Sequence, residues 1–408
     1  MSDRYIGRQP IINAKAKIVA YDLLYRESGH NDDNGLTAAV ISNLLISMET
    51  VLGKHIGFIR VNTEFLHYDV IDLLLQEKVV YSLFADAVID EALADRMRFL
   101  RDQGYRFALN DCILTHESMN RFTLILPSLS YIKIDVTQSD LGLVGRNIPM
   151  FHDAGIEVIG TKIETHDVYD LCRSMGMDYF QGYFISEPNI IKNTSFSPEQ
   201  EGIFRLWNLL QTDTEMSELV DAFQNNHAIS LKLLRFINSA AFSLKTPVAS
   251  IAQVLLLMGR DPISRWIMLM MFSESHGGVE KRVPLLLMVV YRTELMSSLV
   301  QVINPNASKH ELSMAYFTGM LSLIHLLFHM PQREVLEKLN ISDEIKQALL
   351  EGKGFYGEML DLVRSIELFD TEAIEEYLQT LGLKYAIIEP IITQVMDKVN
   401  RFEKAMEE

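Results

Sequence analysis

The sequence predicts an α/β domain followed by an all-α domain. Short apolar runs rich in β-branched and aromatic residues recur through the first half, at residues 18–25, 58–61, 79–84, 106–109, 131–134 and 157–160. Helical patterns alternate with them at 37–52, 90–103 and 167–175. After about residue 200 no strand candidate remains, and apolar residues recur at three- and four-residue spacing.

Repeated strand-then-helix units bring successive strands parallel, in a barrel or an open doubly wound sheet. The helix at 90–103 opens on acidic residues and ends at Gly104, a residue suited to the left-handed position after a helix. No GxGxxG follows the first strand, so a dinucleotide-binding Rossmann domain lacks support. Between Pro188 and Ser197 the polar residues Asn189, Asn193, Thr194 and Ser195 interrupt the apolar pattern. The expected organisation is a barrel-type domain over 1–190, a linker over 191–197 and an all-α domain over 198–408. Ser197-Pro-Glu-Gln200 reads as a helix start, with Ser as N-cap, Pro at N1 and Gln closing a capping box. Further helices are expected at 229–238, 262–271, 284–302, 312–330 and 385–406, with Asp261-Pro262 and Thr371 as caps.

The bulk numbers narrow the class. The chain has 408 residues, 48% hydrophobic and 22% charged, which describes globular domains with real cores. A formal net charge of -17, with no dense Lys/Arg block, argues against nucleic-acid or anionic-lipid partners. The only cysteines, Cys112 and Cys172, lack CxxC spacing, so neither a disulfide framework nor a zinc site is expected and a reducing cytoplasm fits. The N-terminal residues lack the apolar stretch of a signal peptide. Residues 312–330 carry no Asp, Glu, Lys or Arg, near the roughly 20 residues that span a bilayer. Ser313, Thr318, Ser322, His325 and His329 spot that segment, which reads as a core helix rather than a membrane insertion.

Polar residues collect at the expected strand ends: Asp22, Arg26, Asn62, Asn110, Asp111, Lys133, Asp135, Glu164 and Gln181. Ligands of parallel α/β domains bind beyond the carboxyl ends of the strands. Carboxylates there can hold Mg²⁺ or Mn²⁺, an amide can complete the shell, and a lysine can stabilise a developing anion. Any one of them alone reads as a solvated loop residue. Their recurrence on successive strands points to a site.

Several ordered motifs carry a resemblance. They are Gln9-Pro-Ile11, Tyr21-Asp-Leu-Leu-Tyr-Arg26, Val61-Asn62, Gly104-Tyr-Arg-Phe-Ala-Leu-Asn-Asp111, Ile132-Lys-Ile-Asp135, Glu164-Thr165 and Gln181-Gly-Tyr-Phe184. In order they resemble the motifs of the EAL-domain cyclic-di-GMP phosphodiesterases over roughly residues 1–190. The resemblance implies a modified TIM-like (β/α) barrel and a two-metal hydrolysis of the cyclic dinucleotide to linear pGpG. The departures bear on that chemistry. The name-giving glutamate stands as Asp22, and further carboxylate positions of the family read Ser82, Asn110 and Thr161. Cys112 stands where the family has Phe, and the interval from Arg26 to Asn62 is shorter than usual. Neutral oxygens do not supply the charge that makes a hard dication leave its water. The expectation is therefore no bound metal, with Asp22, Lys133 and Glu164 as vestiges of catalysis. Gln9, Arg26, Asn62, Asp111 and Gln181 remain as candidate nucleotide contacts.

In the second half, the segment from His227 to Phe242, with Val248-Ala-Ser-Ile251 and Leu257-Met-Gly259, resembles the HDOD domain, a helical relative of the HD phosphohydrolases. In Gly319-Met-Leu-Ser-Leu-Ile324, Ser322 and Leu323 occupy the positions of the HD metal pair, so no HD chemistry is expected. His325 and His329 lie one helical turn apart without the Glu of an HExxH motif and read as a packed pair. Asn238 and Ser239 read as backbone-capping groups, and Met268-Leu-Met-Met271 as core filler. The domain order resembles the YuxH-type bacterial signalling proteins. The expected function is signal transduction without turnover: an inactive EAL-like barrel that acts as a docking module or as a sensor of cyclic di-GMP, and an HDOD module that binds an unidentified protein partner. No cofactor is expected. The alternative is an active phosphodiesterase with Mg²⁺ or Mn²⁺ held by Asp22, Asn62, Asp111 and Glu164. A third reading, a passive adaptor, binds no nucleotide.

Overall fold

Eight strands close into a barrel in chain order, β1-β2-β3-β4-β5-β6-β7-β8. The computed structural model describes residues 4–27, 48–67, 71, 76–115, 120–185, 198–238, 247–274, 283–328 and 330–407. The strands are β1 (Arg4–Asn13), β2 (Ile18–Glu27), β3 (Ile56–Val61), β4 (Val79–Phe84), β5 (Arg106–Cys112), β6 (Tyr131–Asp135), β7 (Glu157–Thr161) and β8 (Tyr179–Phe180). The resemblance-based expectation of a TIM-like barrel holds. Strands β2 to β8 pair in parallel, as the repeated strand-then-helix units predict for β2 to β7.

β1 is the exception. It runs antiparallel to both β2 and β8, and the sequence pattern had marked neither β1 nor the two-residue β8. The hairpin joining β1 to β2 has no glycine to announce it. The Asn13 side chain accepts from the amides of Lys15 and Lys17, each at 3.0 Å, while Ala16 takes the left-handed conformation at φ 58°.

Around the barrel, α1 (Glu91–Asp102) is capped by Asp90, which accepts from the Leu93 amide at 2.8 Å. Gly104 follows at φ 100°, in the role expected of it. Helix α2 (Leu141–Asp153), capped by Asp140, and α3 (His166–Ser174), capped by Thr165, lead out of β6 and β7. Of the helix expected at 37–52, only the last residues, from Met48, lie within the described part.

The chain divides into two compact units. One comprises Met1–Glu187, Glu280–Tyr291 and Leu362–Glu408, the other Pro188–Val279 and Arg292–Asp361. Residues 362–408, read from sequence as part of a helical domain over 198–408, thus count with the barrel.

The helices of the second half are α4 (Pro198–Leu210), α5 (Met216–Gln224), α6 (His227–Ile237), α7 (Ile251–Met258), α8 (Arg260–Glu274), α9 (Val283–Ile303) and α10 (Lys309–Leu321). They continue with α11 (Ile324–Phe328), α12 (Gln332–Glu337), α13 (Asp343–Glu351), α14 (Gly354–Leu368), α15 (Thr371–Thr380) and α16 (Tyr385–Glu407). In the helical unit buried Trp207 meets Phe317 edge-on at 5.7 Å, and Phe204 packs on Phe328 at 5.2 Å. Asn238 ties the end of α6 to Val248, donating to its carbonyl at 2.8 Å and accepting from its amide at 2.7 Å. Ser239 and Ser197 lie outside the described residues.

Three local expectations are corrected. The 312–330 segment is not one helix: a capping box at Ser308 and Glu311 starts α10, and the chain turns at Ser322-Leu323 before α11. There the Ser322 hydroxyl donates to the Gly319 carbonyl at 2.7 Å, and it accepts from buried Arg292 at 2.8 Å. Asp370, not Thr371, caps α15 by accepting from the Ala373 amide at 3.1 Å. Asp261 lies in the first turn of α8, not before it. Among the described residues, the helix long and apolar enough to cross a membrane is α9, and 61% of its most apolar stretch is buried inside the structure. His329, one member of the expected histidine pair, lies outside the described residues.

Polar contacts fasten α16 to the barrel. The Tyr385 hydroxyl accepts from the Ile6 amide at 3.2 Å, and Arg8 donates to Asn400 at 2.8 Å. Asn400 in turn donates to the Thr50 carbonyl at 2.7 Å. Buried His55 meets Glu403 at 2.9 Å, with Lys54 3.2 Å from the same carboxylate. Burial alone would raise the Glu403 pKa, but hydrogen bonds and charge from His55 and Lys54 outweigh it and hold it below the ordinary value. A depressed carboxylate contributes stability above its unfolded pKa and loses it as pH falls through the folded one. Glu403→Gln is therefore expected to lower stability by about 1–3 kcal/mol at pH 7. In urea unfolding, that difference should shrink below about pH 4; a gap that stays constant with pH would contradict the assignment.

Candidate functional site at the barrel mouth

Side chains of a strand alternate between faces, so residues two apart share a side. Ile11, Ala20, Phe58, Val80, Ala108 and Ile159 form a buried cluster inside the barrel, with Tyr131 and Tyr179 packed against it. Two residues further toward the carboxyl ends of β2 to β8 stand Asp22, Arg60, Ser82, Asn110, Lys133, Thr161 and Gln181. On antiparallel β1 the same step leads from Ile11 to Gln9. Above a mainly apolar layer, every strand thus presents a polar residue.

The centre of this layer is an ion pair. Asp22 Oδ2 lies 2.7 Å from Lys133 Nζ, and the two side chains are 0% and 1% exposed. Gln181 Nε2 donates to the same Asp22 oxygen at 3.1 Å and to Gln9 Oε1 at 2.8 Å. Arg60, 27% exposed, reaches Asp22 at 3.6 Å with one guanidinium nitrogen and Asp111 at 3.8 Å with another. These are ion-pair contacts, too long for hydrogen bonds. Burial opposes ionisation of Asp22, but the charges of Lys133 and Arg60 and the hydrogen bonds from Lys133 and Gln181 prevail and lower its pKa. Burial also lowers the Lys133 pKa, and Asp22 opposes that shift.

Asn110 and Asp111 part company at an irregularity in β5, where the register with β6 shifts between Leu109 and Cys112. Asp111 takes a left-handed φ of 52°, unusual for a residue with a side chain, and Asn110 Nδ2 donates to its carboxylate at 2.6 Å. Four buried oxygens of the layer, Asp22 Oδ1, Ser82 Oγ, Asn110 Oδ1 and Gln181 Oε1, have no hydrogen-bond partner among the described residues. Buried polar atoms seldom stay unpaired, so the mouth has unused accepting capacity.

Other candidates are committed elsewhere. Asn62 Oδ1 accepts from the Phe65 amide at 3.0 Å, closing the turn after β3. Asp135 accepts from Thr137 and from Lys162 Nζ at 2.7 Å, and the Thr161 hydroxyl donates to the Ile134 carbonyl at 3.0 Å. Glu164 is exposed beyond β7, outside the layer. The Arg26 side chain lies outside the described residues. Among the described residues no group of three or more His, Cys, Asp and Glu is arranged to hold a metal.

Arg60 was missed from sequence. Its signal was the alternation Ile56, Phe58, Arg60 in β3, which places the arginine on the inward face. Buried Lys133 depends on Asp22 for its charge. Asp22→Asn is expected to destabilise the chain by about 3–5 kcal/mol, and Lys133→Met in the same chain should recover most of that loss. Thermal unfolding of the two variants decides it, and a double variant no more stable than the single one would refute the pairing.

Residues 73–188 match the EAL domain and residues 202–348 the HDOD domain. The EAL match includes Asn110, Lys133 and Gln181 but begins after β3, beyond Gln9, Asp22 and Arg60. The chain is 28% identical over 373 residues to the uncharacterized protein YuxH of Bacillus subtilis, covering 89% of this chain and 90% of that one. It is 26% identical over 395 residues to the cyclic di-GMP phosphodiesterase CdgJ of Vibrio cholerae, covering 94% and 89%. The solved structure of EAL enzyme Bd1971 in its cGMP-bound form overlaps 44% of this chain at 19% identity, with a TM-score of 0.37. This chain spans 61% of that structure's length. The polypeptide carries an EAL domain followed by an HDOD domain.

Proposed function

We propose that this EAL–HDOD chain is a cytoplasmic signal-transduction protein whose barrel recognises cyclic di-GMP without hydrolysing it. The carrying observation is the charge of the mouth. Arg60 and Lys133 stand in the polar layer beside Asp22, while Ser82, Asn110 and Thr161 are neutral. A relative named as a cyclic di-GMP phosphodiesterase makes the dinucleotide the ligand to test.

The residues present do not fit a pair of divalent cations. Lys133 already neutralises Asp22, and Arg60 spans Asp22 and Asp111. A dication about 5 Å from either nitrogen group meets several kcal/mol of repulsion at an effective dielectric of about 20. The neutral oxygens do not offset that. In this reading no cofactor is needed: Gln9, Arg60, Asp111 and Gln181 contact the nucleotide, Asn62 keeps its place in the turn after β3, and Asp22, Lys133 and Glu164 persist without a catalytic task. The HDOD unit binds a protein partner, and the output is a changed affinity, not a product.

The alternative is a working phosphodiesterase that makes pGpG, which the similarity to CdgJ favours. Calorimetric titration with cyclic di-GMP in EDTA, and again with Mn²⁺, separates the readings. The expected result is the same binding heat in both and no pGpG after prolonged incubation. Binding only with metal, or pGpG formed above the buffer rate, sinks the proposal. Asn110→Asp combined with Thr161→Glu is a companion variant in which metal affinity should rise. Absence of heat under every condition leaves the passive adaptor.

A further inference from the structure

The ring at the mouth is wired to the C-terminal segment of its own unit. Ionised Asp22 is an acceptor only, so Gln181 must present its amide nitrogen to it. The same nitrogen donates to Gln9 Oε1 at 2.8 Å, which turns the Gln9 nitrogen outward to Tyr183 Oη at 3.2 Å. The Tyr183 hydroxyl stands 3.5 Å from the Leu368 carbonyl, a long and weak contact that makes this the softest link of the chain. Each group's orientation is set by the one before it, starting from a buried charge and ending on the turn between α14 and α15.

That turn also docks beside Gln9. Phe369 takes a left-handed φ of 57°. Its ring lies so close to Gly7 that a Cβ there would sit 2.6 Å from Cδ2. Asp370 then caps α15 through the Ala373 amide. Along β1, Ile6, Gly7 and Arg8 contact Tyr385, Phe369 and Asn400 in turn, and the next residue, Gln9, belongs to the ring. A strained, capped turn held by a directional chain of amides responds to whatever reorients the first amide.

We infer that the 368–370 turn is a readout of the barrel mouth, coupled to Asp22 through Gln181, Gln9 and Tyr183. An occupant that takes hydrogen bonds from Gln181 or Gln9 rotates those amides, withdraws the donor from Tyr183 and loosens the turn and the start of α15. The signal is then a change in how the turn and the first residues of α15 are presented. This goes beyond the proposed ligand, because the coupling exists whatever fills the mouth.

Hydrogen exchange on the intact chain tests it, read in peptides covering 366–373. Gln181→Met and Tyr183→Phe should each raise exchange there by about twofold, the low end of the worth of one net hydrogen bond. The double variant should exceed neither, because both cut one chain. Peptides within 385–407, held by separate contacts, should stay unchanged. Additive effects, no effect, or equal change in both regions would overturn the inference. If Gln181→Met does not fold, Gln9→Met breaks the middle link and carries the same expectation. In a second arm the probe is cyclic di-GMP. Binding heat together with faster exchange at 366–373 in the native chain, abolished in Tyr183→Phe, supports the readout. Heat without any change in exchange rejects the readout and leaves the proposed ligand standing. No heat rejects the ligand and leaves the variants to decide the coupling.

Discussion

Two opposite charges lie fully enclosed at the centre of the barrel mouth, and the positions of their neighbours follow from keeping them there. Burying Asp22 and Lys133 requires close pairing and further hydrogen bonds, since desolvation alone would drive both to their neutral forms. Gln181 supplies one such bond, and the Arg60 guanidinium adds a second positive group to the same oxygen. Beneath them the apolar layer of Ile11, Ala20, Phe58, Val80, Ala108 and Ile159 excludes water, which is why the pair has few alternatives to itself. Above them Asp111 draws Arg60 toward the rim, so that two cations and two carboxylates share the opening.

The helical unit shows a parallel arrangement. Family resemblance puts a metal-binding His-Asp pair where this chain has Ser322 and Leu323, and Arg292 hydrogen-bonds Ser322 there. In each unit an arginine reaches a position where the resemblance leads one to look for a metal ligand. A guanidinium fixed by protein carboxylates or hydroxyls carries its charge on the chain and needs no exchange with solvent, unlike a dication held by the same groups.

Much of the barrel was legible because β2 to β7 are largely buried on both faces and read as short, mainly apolar runs, each broken by the residue it gives to the mouth. β1 escaped because charged and polar Arg4, Arg8, Gln9 and Asn13 break its pattern, and β8 because two residues make no pattern. Asp22, Lys133 and Gln181 were found through motif order, and they do meet in space. Asn62 and Glu164 were found the same way, yet one closes a turn and the other faces solvent. Linear proximity to a strand end does not say which face a side chain takes. Arg60 was hidden by the opposite bias: a charged residue inside a strand is read as outward unless the two-residue alternation is followed through Phe58. The membership of 362–408 in the barrel unit rests on pairings such as Arg8 with Asn400, which no local pattern announces.

Those pairings also govern the order of events in folding. The bonds from Ile6 to Tyr385, Arg8 to Asn400 and His55 to Glu403 join residues 379, 392 and 348 positions apart. Contacts of such sequence separation form late and slowly, because a long stretch of chain must be closed before they contribute. During synthesis the strands of the barrel emerge first, and their outer surface along β1 waits for the last helix. Until that helix arrives, buried His55 lacks its Glu403 partner, so a unit whose strands are made early is completed late.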